Sequence, residues 1–166
     1  SVFYPDIYRH KEIFLQEGTV MEDDFKTYVT KNLSVLFICM GIYPNSAGWS
    51  HLMDAVYLAA KRGVYGISVC RLYAEVGKAV HKSGVAVERA IRNAISKCEN
   101  EGRMKKLNEY FGYEVYSEKY PIRSGELISI LATKMLDDYS ASNRMSRNTV
   151  SHSDIDQFEN DPMHAT

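Results

Sequence analysis

The sequence predicts an all-α protein, a helical bundle containing a helix-turn-helix. Apolar residues recur at helical spacing through most of the 166 residues. Ser, Pro and Gly punctuate these runs where helices start and stop. Only Tyr113–Tyr116 suggests a short extended piece.

Taken in order, Ser1–Glu17 contains Tyr4-Pro5 and a short apolar patch, Ile13-Phe14-Leu15, suited to packing on the domain or on a partner. A first helix is expected over Asp23–Met40. Met21-Glu22-Asp23-Asp24 places carboxylates where a helix start favours them, and Phe25, Tyr28, Val29, Leu33, Leu36 and Phe37 continue an apolar stripe. Glu17–Asp24 has a superficial likeness to the acidic pocket of a phosphate-accepting receiver. No alternating strands or acceptor Asp and Lys follow in receiver order, so the helix is the better reading. A second helix is expected over Ser46–Arg62, opened by Pro44-Asn45 and ended by Gly63. Ser68 caps a third, Ser68–Val80, with Val69, Leu72, Tyr73, Val76 and Val80 on one side. His81-Lys82-Ser83-Gly84 then breaks the pattern, with Gly84 free to take the positive φ of a sharp turn. A fourth helix, Val85–Asn100, ends before Gly102. Met104–Phe111 and Ser124–Asp138 complete the set. Ser140–Thr166 is rich in Ser, Asn and Asp, with Pro162 near its end, and reads as a flexible tail. The organisation is thus an extension over 1–25, a helix-turn-helix domain over 26–138 and a polar, acidic tail over 139–166.

The fourth helix is the most informative. Val87, Ile91, Ala94, Ile95 and Cys98 fall on one face, while Arg89, Asn93 and Ser96 face the other way with Arg92 and Lys97 on the flanks. Arg makes paired bonds to guanine and Asn to adenine in the DNA major groove. Helix, short turn and second helix is also the outline of a helix-turn-helix. The fourth helix is therefore read as a recognition helix.

Charge points the same way. The chain as a whole carries −1, but residues 42–107 hold eleven Lys or Arg against five Asp or Glu, a net of +6. The flanking segments carry −2 and −5. The excess surrounds the candidate recognition helix, where phosphates would be met. The candidate phosphate contacts are Lys61, Arg62, Lys78, Lys82, Ser83, Ser96, Lys97, Arg103, Lys105 and Lys106, with Arg71 nearby.

Other classes find less support. No apolar run reaches the roughly 18 residues of a membrane span. The longest, Leu33–Ile42, is broken by Ser34 and Cys39 and reads as a buried helix. No secretory signal is visible, which suits the cytoplasm. Cys39, Cys70 and Cys98 have no zinc spacing and read as small buried hydrophobes. Cys70 with His81 or His51 lacks the orienting acid and oxyanion loop of a catalytic pair. Gly63 and Gly66 flank Tyr65 without the Lys-Ser/Thr tail of a phosphate loop. Trp49 and the Tyr residues do not alternate along a basic strand and read as core or rim. No enzyme, metal, cofactor or small-molecule substrate is expected.

Four segments carry a resemblance: GIYPNSAGWSHLMDAVYLAAKRG, VCRLYAEVGKAVHKSGVAVERAIRNAI, EGRMKKLNEYFGYEV and ELISILATKML. Together they resemble the C-terminal effector domain of the master response regulator of endospore formation, the stage 0 sporulation protein A family. The resemblance covers Lys26–Leu136, with VERAIRNAI close to the family's recognition-helix signature. It implies an all-α transcription factor domain that binds short guanine-containing boxes in double-stranded DNA, often as head-to-tail pairs, and so a homodimer on tandem sites. Carried over, the base-contacting positions are Glu88, Arg89, Arg92 and Asn93. Arg89 and Arg92 would read guanine, and Glu88 would accept from a cytosine amine or hold a neighbouring Arg. Asn93 stands where the family commonly has His. Val85 and Ala86 stand where it often has Ser and Arg. The family's receiver domain is expected to be absent, since only residues 1–25 precede the resemblance. The chain also opens on Ser1, as a piece of a longer protein would.

The resulting expectation is a sequence-specific DNA-binding transcriptional regulator. The alternative is a protein-interaction module of the same fold that has lost DNA binding and acts on a related regulator. Ala86 and the acidic tail favour that alternative. The tail's Asp154–Asp161 half is opposite in charge to the basic segment and is a candidate to fold back on it and weaken DNA binding.

Overall fold

A computed structural model describes the backbone of residues 18–63 and 68–158, and the side chains of 24–63 and 68–149. The patch Ile13-Phe14-Leu15, Tyr65-Gly66 and the end of the tail lie outside the described residues, and the side chains of Asp154–Asp161 are likewise not described.

Six helices form the described fold: α1 Gly18–Cys39, α2 Ala47–Arg62, α3 Val69–Ala79, α4 Gly84–Asn100, α5 Lys106–Phe111 and α6 Ser124–Phe158. No strand occurs among the described residues, and the all-α bundle is as the periodicity predicts. Three serines mark helix starts through their side chains. Ser46 accepts from the Trp49 N–H, Ser68 from Arg71 and Ser83 from Ala86.

Helix α2 is the centre of the bundle and packs against α1, α3, α4 and α6. Its inner face is rich in small residues, with Ala55, Ala59 and Ala60 all buried, so neighbouring helices come close. Around it gather Phe25, Leu33 and Phe37 of α1, Leu72 and Val76 of α3, Val87, Ile91 and Ile95 of α4, and Leu127, Leu131 and Met135 of α6. Trp49 meets Phe37 edge to face at 5.6 Å, on the rim of this core.

Several local expectations need correcting. Helix α1 begins at Gly18, five residues before the expected Asp23, so Glu22–Asp24 lie beyond its first turn. Leu33, Leu36 and Phe37 are buried, but Val35, Ile38 and Cys39 face solvent on the same helix. Cys70 is exposed too, and Cys98 is the buried cysteine, its thiol pushed up to about 11 by burial. Residues 113–116, read as a short extended piece, lie outside any helix and pair with no strand among the described residues. Instead the Asn108 side chain bonds the chain there three times, to the N–H groups of Val115 and Tyr116 and to the Tyr116 carbonyl, at 2.8–2.9 Å.

The largest difference is in α6. It does not stop at Asp138 but continues to Phe158, so the boundary drawn at 138/139 falls inside one helix. Tyr139 is the last core residue among those whose side chains are described. Beyond it the same helical stripe continues as Ser142, Ser146 and Thr149, all exposed, whose hydroxyls donate to carbonyls four residues back at 2.7–3.2 Å. No Gly or Pro stands between Gly125 and Pro162 to end the helix. The polar composition suggested a flexible tail, and the missing breakers were the better signal.

His51 is the buried polar residue of the core, 3 % exposed, and neither ring nitrogen has a hydrogen-bond partner among the described residues. Burial lowers its pKa from the usual 6.5, and the charge of Lys82 lowers it further against an opposing pull from Asp54. The native state therefore binds this proton less readily than the unfolded chain. The stability this contributes is complete above about pH 6.5 and is lost as pH falls below it. A urea midpoint that drops between pH 7 and pH 5 is expected. H51L should flatten that drop and raise stability at pH 7, since each buried unsatisfied polar group costs about 1–3 kcal/mol. An equal drop in H51L would assign the pH response to other groups.

Candidate nucleic-acid interface

Helix α3, the turn 80–83 and α4 form the helix-turn-helix, and the turn is tighter than its sequence implies. Two close approaches hold it. A Cβ on Gly77 would stand 2.3 Å from the Lys82 carbonyl oxygen, and one on Gly84 would stand 3.0 Å from the Ala74 nitrogen. Gly84 is thus needed for contact with α3 and not for a positive φ, which correct the sequence reading. The positive φ belongs to His81, at 54°. It allows the Lys82 N–H to reach the Gly77 carbonyl at 2.9 Å, closing the helix end. The other positive-φ positions among the described residues are glycines. H81G should therefore stabilise the protein by about 0.5–1 kcal/mol, because a left-handed conformation costs a non-glycine residue about 1–2 kcal/mol. A lower thermal midpoint in H81G would mean that the imidazole holds the turn.

Helix α4 buries Val87, Ile91, Ile95 and Cys98, with Ala94 partly buried beside them. Its outer face carries Val85, Ala86, Arg89, Arg92, Asn93, Ser96 and Lys97, all exposed. Arg89, Arg92, Asn93 and Ser96 stand at i, i+3, i+4 and i+7, which is one ridge. No ion pair engages Arg89 among the described residues.

The two flanks of the ridge differ. On one, Glu88 lies 3.6 Å from the Arg92 guanidinium, four residues on. Both act on the Tyr73 hydroxyl, whose pKa is raised first by burial. That hydroxyl bonds Ser124 at 2.9 Å, so this flank faces α3 and the start of α6. On the other, Asn93 and Lys97 line an open cleft of about 340 Å³ against the 41–48 segment. Lys97 lies 5.7 Å from the centre of the Tyr43 ring and 3.9 Å from Glu101.

The basic residues around the ridge fall into two groups. Lys78 and Lys82 are exposed at the end of α3 and in the turn, with no ion pair among the described residues. Most of the others face carboxylates. Arg62 pairs with Glu75, which Arg71 also approaches at 3.9 Å. Arg103 lies 3.2 Å from Glu101, Lys105 3.5 Å from Glu118 and Lys106 2.9 Å from Glu109. Lys61 is exposed at the end of α2. Ser83 is occupied as the α4 cap, and Ser96 lies on the ridge itself. Lys82 and Arg103 flank opposite ends of α4, about 25 Å apart at 1.5 Å per residue. The +6 of the segment is therefore not one patch, since its unpaired part gathers at the turn and the N-terminal half of α4.

Tyr43 and Asn45 border the ridge from outside the helix-turn-helix, and no sequence signal pointed to them. Pro44-Asn45 carries only the pattern of a helix start. Among the described residues no group of His, Cys, Asp and Glu is placed to hold a metal, and no helix is long and apolar enough to cross a membrane.

Residues 25–135 match the family model described as sporulation initiation factor Spo0A C terminal. The chain belongs to this family. Membership makes it a DNA-binding regulatory domain of the sporulation type, and the Spo0A C-terminal match spans α1 from Phe25 through α6 to Met135, with the whole helix-turn-helix inside it. No solved structure matches the chain. The continuation of α6 beyond Met135 lies outside the family match.

Proposed function

We propose that this chain is a sequence-specific transcriptional regulator that reads a short guanine-containing box by laying α4 in the major groove. One observation carries the reading: the polar ridge Arg89, Arg92, Asn93 and Ser96 is exposed on a helix whose opposite face is buried against α2. Arg89 and Arg92 take guanine edges and Asn93 an adenine edge. Glu88 holds Arg92 in place or accepts from a cytosine amine. Phosphate contacts come first from Lys78 and Lys82 on one side of α4, and from Lys97 on the other, which shares its charge with Glu101 at 3.9 Å. Arg62, Arg103, Lys105 and Lys106 contribute more weakly, since each must leave a carboxylate to reach a phosphate, and Lys61 adds to them from the end of α2. Copies sit head to tail on tandem boxes, in the cytoplasm, with no cofactor or small-molecule substrate.

Selection of bound duplexes from a random pool, followed by a salt titration on the selected site, tests this. A guanine-containing consensus and an affinity that falls steeply with salt are expected. An affinity indifferent to both sequence and ionic strength would favour the interaction module of the same fold.

A further inference from the structure

We infer that the cleft between α4 and the 41–48 segment receives one strand of the DNA backbone, and that Tyr43 is the residue that positions Lys97 there. The inference rests on the DNA reading above and extends it to a part of the chain outside the helix-turn-helix. Asn93 lies on the reading ridge and also lines the cleft, so the cleft opens beside the groove-facing surface and not behind it. Its lining contains no carboxylate, and Lys97 is its cation. Asn45 and Asn93 add neutral hydrogen-bonding groups. That chemistry suits a phosphodiester, which is an anion rich in acceptors.

Lys97 alone would be a mobile ammonium on an exposed stem. The Tyr43 ring, 43 % exposed, stands 5.7 Å from that ammonium and braces it at the cleft, while the Glu101 carboxylate lies 3.9 Å away. Tyr43 also sits in the turn that α1 and α2 fix by packing, so its ring is a stiffer platform than another surface side chain. Contact through Lys97 carries no base information, and its loss should weaken all sequences alike.

The test is a set of four variants, measured against a selected duplex and a scrambled one over a range of salt. K97A should lower affinity for both duplexes and reduce the slope of log affinity against log salt by roughly one. Y43A should weaken both by about two- to five-fold. Y43F keeps the ring and should bind like the parent chain. Y43A/K97A should bind no worse than K97A alone, since the aromatic ring acts only through the lysine. A normal thermal midpoint for Y43A separates positioning from damage to the fold. Additive losses in the double variant, or failure of Y43F to rescue, would overturn the role of Tyr43. An unchanged salt slope in K97A would remove the backbone from the cleft while leaving the reading by Arg89 and Arg92 standing. A parent chain that binds neither duplex would sink both.

Discussion

Replacing Gly77 by alanine should destabilise this protein by about 3 kcal/mol, although Gly to Ala in an ordinary helix interior stabilises by about 1 kcal/mol. The two effects oppose each other, and geometry decides between them. The added methyl would stand 2.3 Å from the Lys82 carbonyl oxygen and 3.2 Å from its carbon. Backbone atoms cannot swing away as the end of a side chain can. The turn must open, and opening it breaks the bond from the Lys82 N–H to the Gly77 carbonyl and moves Ser83 off the start of α4. A thermal midpoint lower by roughly 6–12 °C is expected for a chain of this size. DNA affinity should fall further than stability alone explains, because the displaced turn re-aims the whole of α4. A G77A variant as stable as the parent would show that the turn yields freely, and the rigid helix-turn-helix would then need rethinking.

Alanine at Arg89 or Arg92 should have the opposite profile, with binding lost and stability kept. Each guanidinium that makes a paired bond to guanine contributes about 1–3 kcal/mol of discrimination, a loss of roughly 5- to 150-fold at the selected site. Both side chains are exposed, so neither substitution opens a cavity. The two should differ in one respect. Arg89 meets no carboxylate among the described residues, whereas Arg92 must leave or share Glu88 at 3.6 Å. An exposed pair of this kind is worth well under 1 kcal/mol, so the pairing orients Arg92 without locking it away. E88Q should accordingly change base preference beside Arg92 more than it changes overall affinity. Competition binding against single-base variants of the site measures all three. Equal losses on every sequence would turn these arginines into phosphate contacts and remove the proposed base reading.

What could be read from the chain alone was whatever local geometry controls. Helical periodicity, the serines at helix starts and the apolar face Val87–Ile91–Ile95–Cys98 depend on residues within a few positions of each other. The all-α class and the ridge on α4 followed from them directly. The exposure of Cys39 and Cys70 did not, because which side of a helix is covered depends on neighbours distant in sequence. Nor could the sequence separate charges that reach solvent freely from those facing carboxylates: Arg62 meets Glu75 only because α2 packs on α3. Spacing made Gly84 look like the hinge of the turn, while packing gave the positive φ to His81 and the indispensable contact to Gly77. The cleft beside α4 is likewise a tertiary product. Tyr43 and Lys97 are more than fifty residues apart, and only the packing of α2 against α4 brings the turn before α2 and the flank of α4 together.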